Sequence, residues 1–231
     1  MTKDKIRARI EEIGIIPVIR LSCARDALFA AEVISGSGIP IVEVTTTVPG
    51  AVEVIEELAR NDTEFIVGAG SVFDIDTAQR CLNAGAKFLG SPGLDLEIVD
   101  FARKHDVLVF PGALTPTEVA AAWKSGADFV KVFPCSQLGG SAYIKALRFP
   151  FPNVPLIASG GVNQNTAADF ILAGAVALAI GRDLIHPDAI KHRQRDWIRE
   201  LARRFLRIVK EARAQRGHHK LAKSSIQATG I

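Results

Sequence analysis

A chain of 231 residues, 48% of them apolar and 23% charged, has the hydrophobic mass for one large core and excludes disorder throughout. The net charge of +3 is unevenly spread: residues 191–231 hold 12 Lys/Arg against 3 Asp/Glu, and residues 1–190 hold 16 against 22. An acidic body is a poor phosphate-backbone binder, so no nucleic-acid partner is expected, and without an apolar run of roughly 20 residues no membrane span is expected.

In chain order, the pattern predicts a charged leader helix over residues 3–12 and a first strand over 15–20. A helix over 24–35 stops at Gly36. A second strand covers 40–45, and Pro49 opens a helix through Arg60, since proline suits the first helical turn. The third strand spans 64–70, with a helix over 75–84. The fourth is 88–90, with a helix over 94–104, and the fifth is 107–110, with a helix over 116–124. The sixth is 128–133, followed by a helix around 143–147. The seventh is 155–159, with a helix over 166–173, and the eighth is 177–180. A long last helix runs over 188–214.

Three helix-to-strand turns repeat one pattern, with Gly85, Gly126 and Gly174 each between a helix end and the next strand. Eight βα units at this spacing predict an α/β fold, a single (β/α)8 TIM barrel with an N-terminal leader helix; an open doubly wound sheet is the alternative. The barrel domain is expected over residues 1–214. Residues 215–231 lack periodicity and are expected to form a flexible basic tail, in which His218 and His219 are solvated. Cys23, Cys81 and Cys135 are widely spaced with no C-x-x-C pair, which favours reduced thiols over a disulfide framework or a zinc site. With no apolar signal region at the N-terminus, a cytoplasmic protein is expected.

The chemistry centres on Lys131. Strand side chains alternate, so Val130 and Val132 face the covering helices, and Phe129, Lys131 and Phe133 face the barrel interior. A low-dielectric interior disfavours the charged ammonium, and a neutral lysine amine attacks a ketone to form a Schiff base. The same alternation points Glu43 and Thr45 inward on the second strand. Glu43 is either an ion-pair partner for Lys131 or a general base, and the two roles are compatible. No histidine lies in a strand, so no metal site is expected. Strand seven ends in Ser159-Gly-Gly-Val162 and strand eight in Gly181-Arg182. Barrels often bind phosphate with these two loops, so Gly160, Gly161, Gly181 and Arg182 are candidate phosphate contacts.

Val42-Glu-Val-Thr45, Val67-Gly-Ala-Gly-Ser-Val72, Ser91-Pro-Gly93, Phe110-Pro-Gly112, Lys131-Val-Phe-Pro134, Tyr143-Ile-Lys-Ala-Leu147 and Ser159-Gly-Gly-Val162 follow one another along the chain. Together they resemble the class I family of 2-keto-3-deoxy-6-phosphogluconate (KDPG) aldolase. That family includes its 6-phosphogalactonate counterpart and 4-hydroxy-2-oxoglutarate aldolase. The resemblance covers residues 5–212. It implies that Lys131 is the Schiff-base lysine and Glu43 the general acid/base. Ser71 stands where the family usually has a carboxylate-binding threonine, and Pro92 and Phe133 match the apolar walls beside pyruvate. Gly160, Gly161 and Gly181 match the phosphate-binding backbone. It also implies a homotrimer and a place in Entner–Doudoroff carbohydrate metabolism.

Two positions depart from the family pattern. Many members carry a substrate-binding arginine where Thr47 stands here, and Arg20, at the end of strand one, is the candidate replacement cation. Arg182 stands where serine is frequent. The implied reaction is reversible cleavage of a 2-keto-3-deoxy-6-phospho sugar acid to pyruvate and glyceraldehyde 3-phosphate, with no cofactor beyond the covalent lysine. The alternatives are an aldolase for unphosphorylated 4-hydroxy-2-oxo acids and a non-catalytic sugar-phosphate-binding barrel. Phe149 and Phe151 are candidates for a subunit contact.

Overall fold

In the computed structural model the backbone is described for residues 1–61 and 65–228, and side chains for 1–60 and 65–217. The described elements alternate almost without exception. They run α1 (Lys3–Ile13), β1 (Ile15–Ile19), α2 (Ala24–Ser35), β2 (Ile41–Thr45), α3 (Ala51–Asn61), β3 (Ile66–Gly70) and α4 (Ile75–Asn83). Then come β4 (Phe88–Gly90), α5 (Leu96–Lys104), β5 (Leu108–Phe110), β6 (Gly112–Ala113), α6 (Pro116–Lys124), β7 (Val130–Val132) and α7 (Ser141–Arg148). The chain continues through β8 (Leu156–Ser159), α8 (Ala167–Ala173), β9 (Ala177–Ile180), α9 (Pro187–Lys191) and α10 (Arg195–Ala228).

All strand pairs are parallel, in the order β5-β4-β3-β2-β1-β9-β8-β7-β6. The two ends of that order, β5 and β6, are separated in the chain by Pro111 alone. Proline has no N–H to give a ladder, so it splits one strand into two short ones. The break is bridged from the neighbouring strand: Asp128 N donates to Val109 O at 3.0 Å and Lys131 N to Pro111 O at 2.9 Å. The ring is therefore a closed eight-membered barrel, as the eight βα units lead one to expect.

Local chemistry explains the element ends. Gly85, Gly126 and Gly174 have φ of 99°, 92° and 113°, the left-handed turn that lets each helix drop into the next strand. At α6, Thr115 and Glu118 form a reciprocal capping box with Pro116 just inside. Val42, Val44, Val130 and Val132 are fully buried, as their outward, helix-facing register requires. The leader helix α1 buries Ile6, Ile10 and Ile13. Its Lys3 pairs with Asp128 at the N-terminal end of β7, so α1 covers the barrel end opposite the strand C-termini.

The C-terminal region differs from the sequence reading. The single helix expected over 188–214 is two helices, broken at 192–194, where Arg193 has φ of 52°. The stretch expected as an unstructured tail from residue 215 continues as helix to Ala228. Arg213 donates to the carbonyls of Glu11, Glu12 and Val176, and Arg216 to those of Ile171 and Ala175. Glu11 and Glu12 lie in the last turn of α1 and Ile171 in that of α8, where cations are favoured, and Ala175 and Val176 lie just before β9. The barrel unit thus extends past the expected boundary at residue 214. The two histidines at 218 and 219 lie outside the described side chains.

Candidate active site

Every strand ends with its C-terminus at the same mouth of the barrel, and the candidate residues gather there. Lys131, in the middle of β7, and Glu43, in the middle of β2, face each other across the interior. Lys131 Nζ lies 3.2 Å from Glu43 Oε1 and 3.0 Å from Oε2. Their side chains are 6% and 2% exposed, which makes this a buried ion pair. Such a pair persists only when each charge is matched by the other, because the cost of removing either from water is large. Lys131 Nζ also lies 5.1 Å from the centre of the Phe110 ring, whose π face favours the cation.

Glycines make the space for this pair. A Cβ on Gly70 would fall 2.1 Å from Glu43 Oε1, and one on Gly90 would fall 3.2 Å from both Glu43 Oε2 and Lys131 Nζ. On the same strand as Gly70, a Cβ on Gly68 would meet the Phe88 ring at 2.1 Å. The sequence reading did not single out these positions. The signal was present, since a glycine inside a strand marks close approach of another group.

At the strand C-termini, a cleft of about 350 Å³ is lined by Arg20, Phe133, Gly160, Gly161, Gly181 and Arg182, with Val18, Ser159 and Asp183 among the others. Six of the predicted site residues therefore share one cavity. Gly160 and Gly161 take φ of 87° and 76° in succession. A Cβ on Gly161 would collide with Ser136 at 2.2 Å, and one on Gly160 would press on Pro134 at 3.0 Å, so both need glycine. Thr166 Oγ1 donates to Gly161 O at 3.0 Å, and Cys135 Sγ donates to Gly160 O at 3.2 Å, which ties this loop down. Burial pushes the Cys135 thiol up to about 11. Asp183 and Arg182, adjacent in the chain, both line this cleft.

Ser71 and Thr47 line an adjoining cleft of about 420 Å³ with Thr46, Asp74 and Arg80. The two clefts meet where Arg20 Nη2 donates to Ser71 Oγ at 3.2 Å. Arg20 thus reaches the neighbourhood of position 47, and Thr47 itself is exposed with its hydroxyl 2.8 Å from that of Thr45. Pro92 is partly buried after β4, and its carbonyl packs against Gly112, where any Cβ would lie 2.1 Å away. Ser71 has φ of 57°, a left-handed backbone that costs a serine roughly 1–2 kcal/mol.

The arrangement can do a definite chemistry. An amine in contact with a carboxylate is the pairing that proton exchange and attack on a carbonyl require. The mouth offers hydroxyl, guanidinium and glycine backbone groups for a small anionic molecule.

Three kinds of likeness accompany this geometry. The family model described as KDPG and KHG aldolase matches residues 6–201. Over 200 residues the chain is 30% identical to the 2-dehydro-3-deoxy-phosphogluconate aldolase of Treponema pallidum (strain Nichols), spanning 87% of this chain and 95% of that one. Among solved structures, KDPG aldolase from Legionella pneumophila, with pyruvate captured at low pH as a covalent carbinolamine intermediate, superposes with a TM-score of 0.79. It is 29% identical and covers 85% of this chain and 96% of its own. The native KDPGal structure also superposes with a TM-score of 0.79, at 26% identity over 86% of this chain and 95% of its own.

Proposed function

Because the chain belongs to the KDPG and KHG aldolase family, we propose that Lys131 and Glu43 are the reacting pair of a class I aldolase. The reaction is reversible cleavage of a 2-keto-3-deoxy-6-phospho sugar acid to pyruvate and glyceraldehyde 3-phosphate. The observation that carries the assignment is the buried contact of Lys131 Nζ with both oxygens of Glu43 inside the barrel.

Glu43 takes a proton from the Lys131 ammonium, and the freed lone pair attacks the C2 carbonyl carbon of the substrate. The carbonyl oxygen takes a proton from the attacking nitrogen, and the resulting neutral carbinolamine loses water as protonated Glu43 gives its proton to the departing hydroxyl. The product is an iminium. Glu43, again a carboxylate, removes the proton of the C4 hydroxyl. The C3–C4 bond breaks, its electrons flow into the iminium to give an enamine, and the aldehyde leaves. The protonated Glu43 then gives its proton to C3 of the enamine, and water hydrolyses the resulting iminium to release pyruvate and restore the Lys131 ammonium. The electron sink is the lysine adduct itself, so the scheme draws on no cofactor.

The remaining roles follow position by position. Ser71 and Arg20 hold the pyruvate carboxylate, Pro92 and Phe133 wall its methyl end, and Thr47 borders the adjoining cleft. The N–H groups of Gly160, Gly161 and Gly181, with Arg182, receive the phosphate. Sodium borohydride with pyruvate is expected to fix a three-carbon adduct on Lys131, read by peptide mass. No adduct there, or full activity in Lys131→Ala, would overturn the assignment.

One set of observations favours a second reading, cleavage of unphosphorylated 4-hydroxy-2-oxoglutarate to pyruvate and glyoxylate. Thr47 stands where the family resemblance expects arginine, and Asp183 puts a carboxylate in the cleft that Arg182 also lines. Comparing kcat/KM for phosphorylated and unphosphorylated substrates in wild type and Arg182→Ala separates the two. A wild type indifferent to the phosphate leaves only the second.

A homotrimer is the proposed assembly, supported by the family resemblance and by Phe73 and Phe149, left 63% and 90% exposed in the single chain. Phe151, by contrast, packs partly into the core. A cytoplasmic setting is supported by three free thiols at Cys23, Cys81 and Cys135. Among the described residues, no helix is long and apolar enough to cross a membrane.

A further inference from the structure

Ser71 is one of three non-glycine residues with positive φ among those described; the others, Asp106 and Arg193, follow the C-terminal ends of α5 and α9. What holds Ser71 in that conformation is the residue just beyond β2. Thr46 N donates to Gly70 O at 2.8 Å, and Thr46 Oγ1 donates to Ser71 O at 2.7 Å. One threonine therefore grips both carbonyls that flank the Ser71 backbone. From the other side, Val72 N donates to Gly90 O at 3.2 Å. With the backbone so fixed, the Ser71 hydroxyl meets Arg20 Nη2. Released to an ordinary negative φ, the same serine would swing its side chain away from Arg20.

We propose that Thr46 is a positioning residue, whose hydroxyl clamps Ser71 in the left-handed conformation so that Ser71 and Arg20 together receive the carboxylate of a bound 2-keto acid. The proposal rests on the reading of Ser71 as the carboxylate contact. Thr46 touches no reacting atom; it acts through Ser71. Its action should therefore appear in how tightly the keto acid is held and not in how fast bonds change.

The test is borohydride trapping of pyruvate on Lys131 across a pyruvate titration, read by intact mass. It is run alongside steady-state kinetics for wild type, Thr46→Val, Thr46→Ser, Ser71→Ala and the Thr46→Val/Ser71→Ala double variant. Thr46→Val keeps the shape and loses the hydrogen bond. Its half-saturating pyruvate and its KM are expected to rise roughly three- to tenfold, with the trapping plateau and kcat near wild type. Thr46→Ser restores the hydroxyl and should return half-saturation to within about twofold of wild type. The double variant should match Ser71→Ala, because a clamp with nothing to hold adds nothing.

Wild-type half-saturation in Thr46→Val overturns the proposal. So do a further rise in the double variant, a failure of Thr46→Ser to restore binding, and a Ser71→Ala variant that binds normally. An untrapped wild type overturns the functional reading itself and is visible without any variant. If Thr46→Val does not fold, Thr46→Ala also lacks the hydroxyl and takes its place.

Discussion

Gly70 shows how much of this site depends on an atom that is missing. Its absent Cβ is the room in which the Glu43 carboxylate reaches Lys131. Gly70→Ala should leave the barrel folded but displace that carboxylate by about an ångström, and kcat/KM should fall about 100-fold or more. Thermal melting beside steady-state kinetics checks both halves of this expectation. The inward alternation of β2 and β7 made Lys131 and Glu43 legible from sequence. Gly70, Gly90 and Thr46 were not, because their roles arise between strands that are far apart in the chain.

Two thiols set a residue-scale pH response. Burial pushes Cys81 and Cys135 up to about 11 from the ordinary value of 9. The unfolded chain then loses these protons first, so their stabilising effect is intact below pH 9 and fades as pH rises toward 11. Denaturant midpoints should fall across that window, and less steeply in Cys81→Ala, which lies away from the site.

At the level of elements, the strands and most helices could be placed because their signals are local. Alternating burial marks strands, and glycines after helices mark the turns. The C-terminal helices were misread because their determinants are not local. The break at 192–194 is held by Arg193, paired with Asp26 at 2.7 Å, and by Arg195, paired with Glu32. Both guanidinium groups also lie over Phe29. Nothing in hydrophobic periodicity announces such contacts with α2. Nor does it show that Arg213 and Arg216 fasten α10 to the ends of α1 and α8. Arg213→Met should cost about 2 kcal/mol and lower Tm by roughly 5 °C, because three carbonyls, that of Val176 in a partly buried contact, lose a charged donor. Differential scanning calorimetry would detect a loss of that size, and an unchanged Tm would contradict the anchoring role.

For the whole molecule, chemistry and stability are held at opposite ends of the barrel. The mouth carries Lys131, Glu43 and the glycine loops. The other end is covered by α1, whose Ile10 is fully buried. Ile10→Ala should cost about 2–5 kcal/mol, with kcat unchanged at a temperature where the variant stays folded. A proportional loss of kcat would mean that the two ends are coupled. The uneven charge follows the same division by place. In the C-terminal helix Arg213 and Arg216 serve as anchors and Arg195, Arg199 and Arg204 form surface ion pairs, while at the mouth Arg20 and Arg182 supply cations in an otherwise acidic body.

The barrel interior also has a history written into its volumes. Glu43 of β2 fills the space of Gly70 on β3, Phe88 of β4 fills that of Gly68 on β3, and Phe110 of β5 crowds Gly90 on β4. Each bulky side chain has borrowed room from a neighbouring strand, and Glu43 also reaches toward the space of Gly90. Neither member of such a couple can change alone without a collision or a void. Across diverged relatives, the two positions of each couple should therefore drift together: a residue larger than glycine at 68 should occur beside something smaller than phenylalanine at 88. Mutational paths through this barrel run in paired steps, and single-site libraries will find its interior far less tolerant than a library that varies both partners at once.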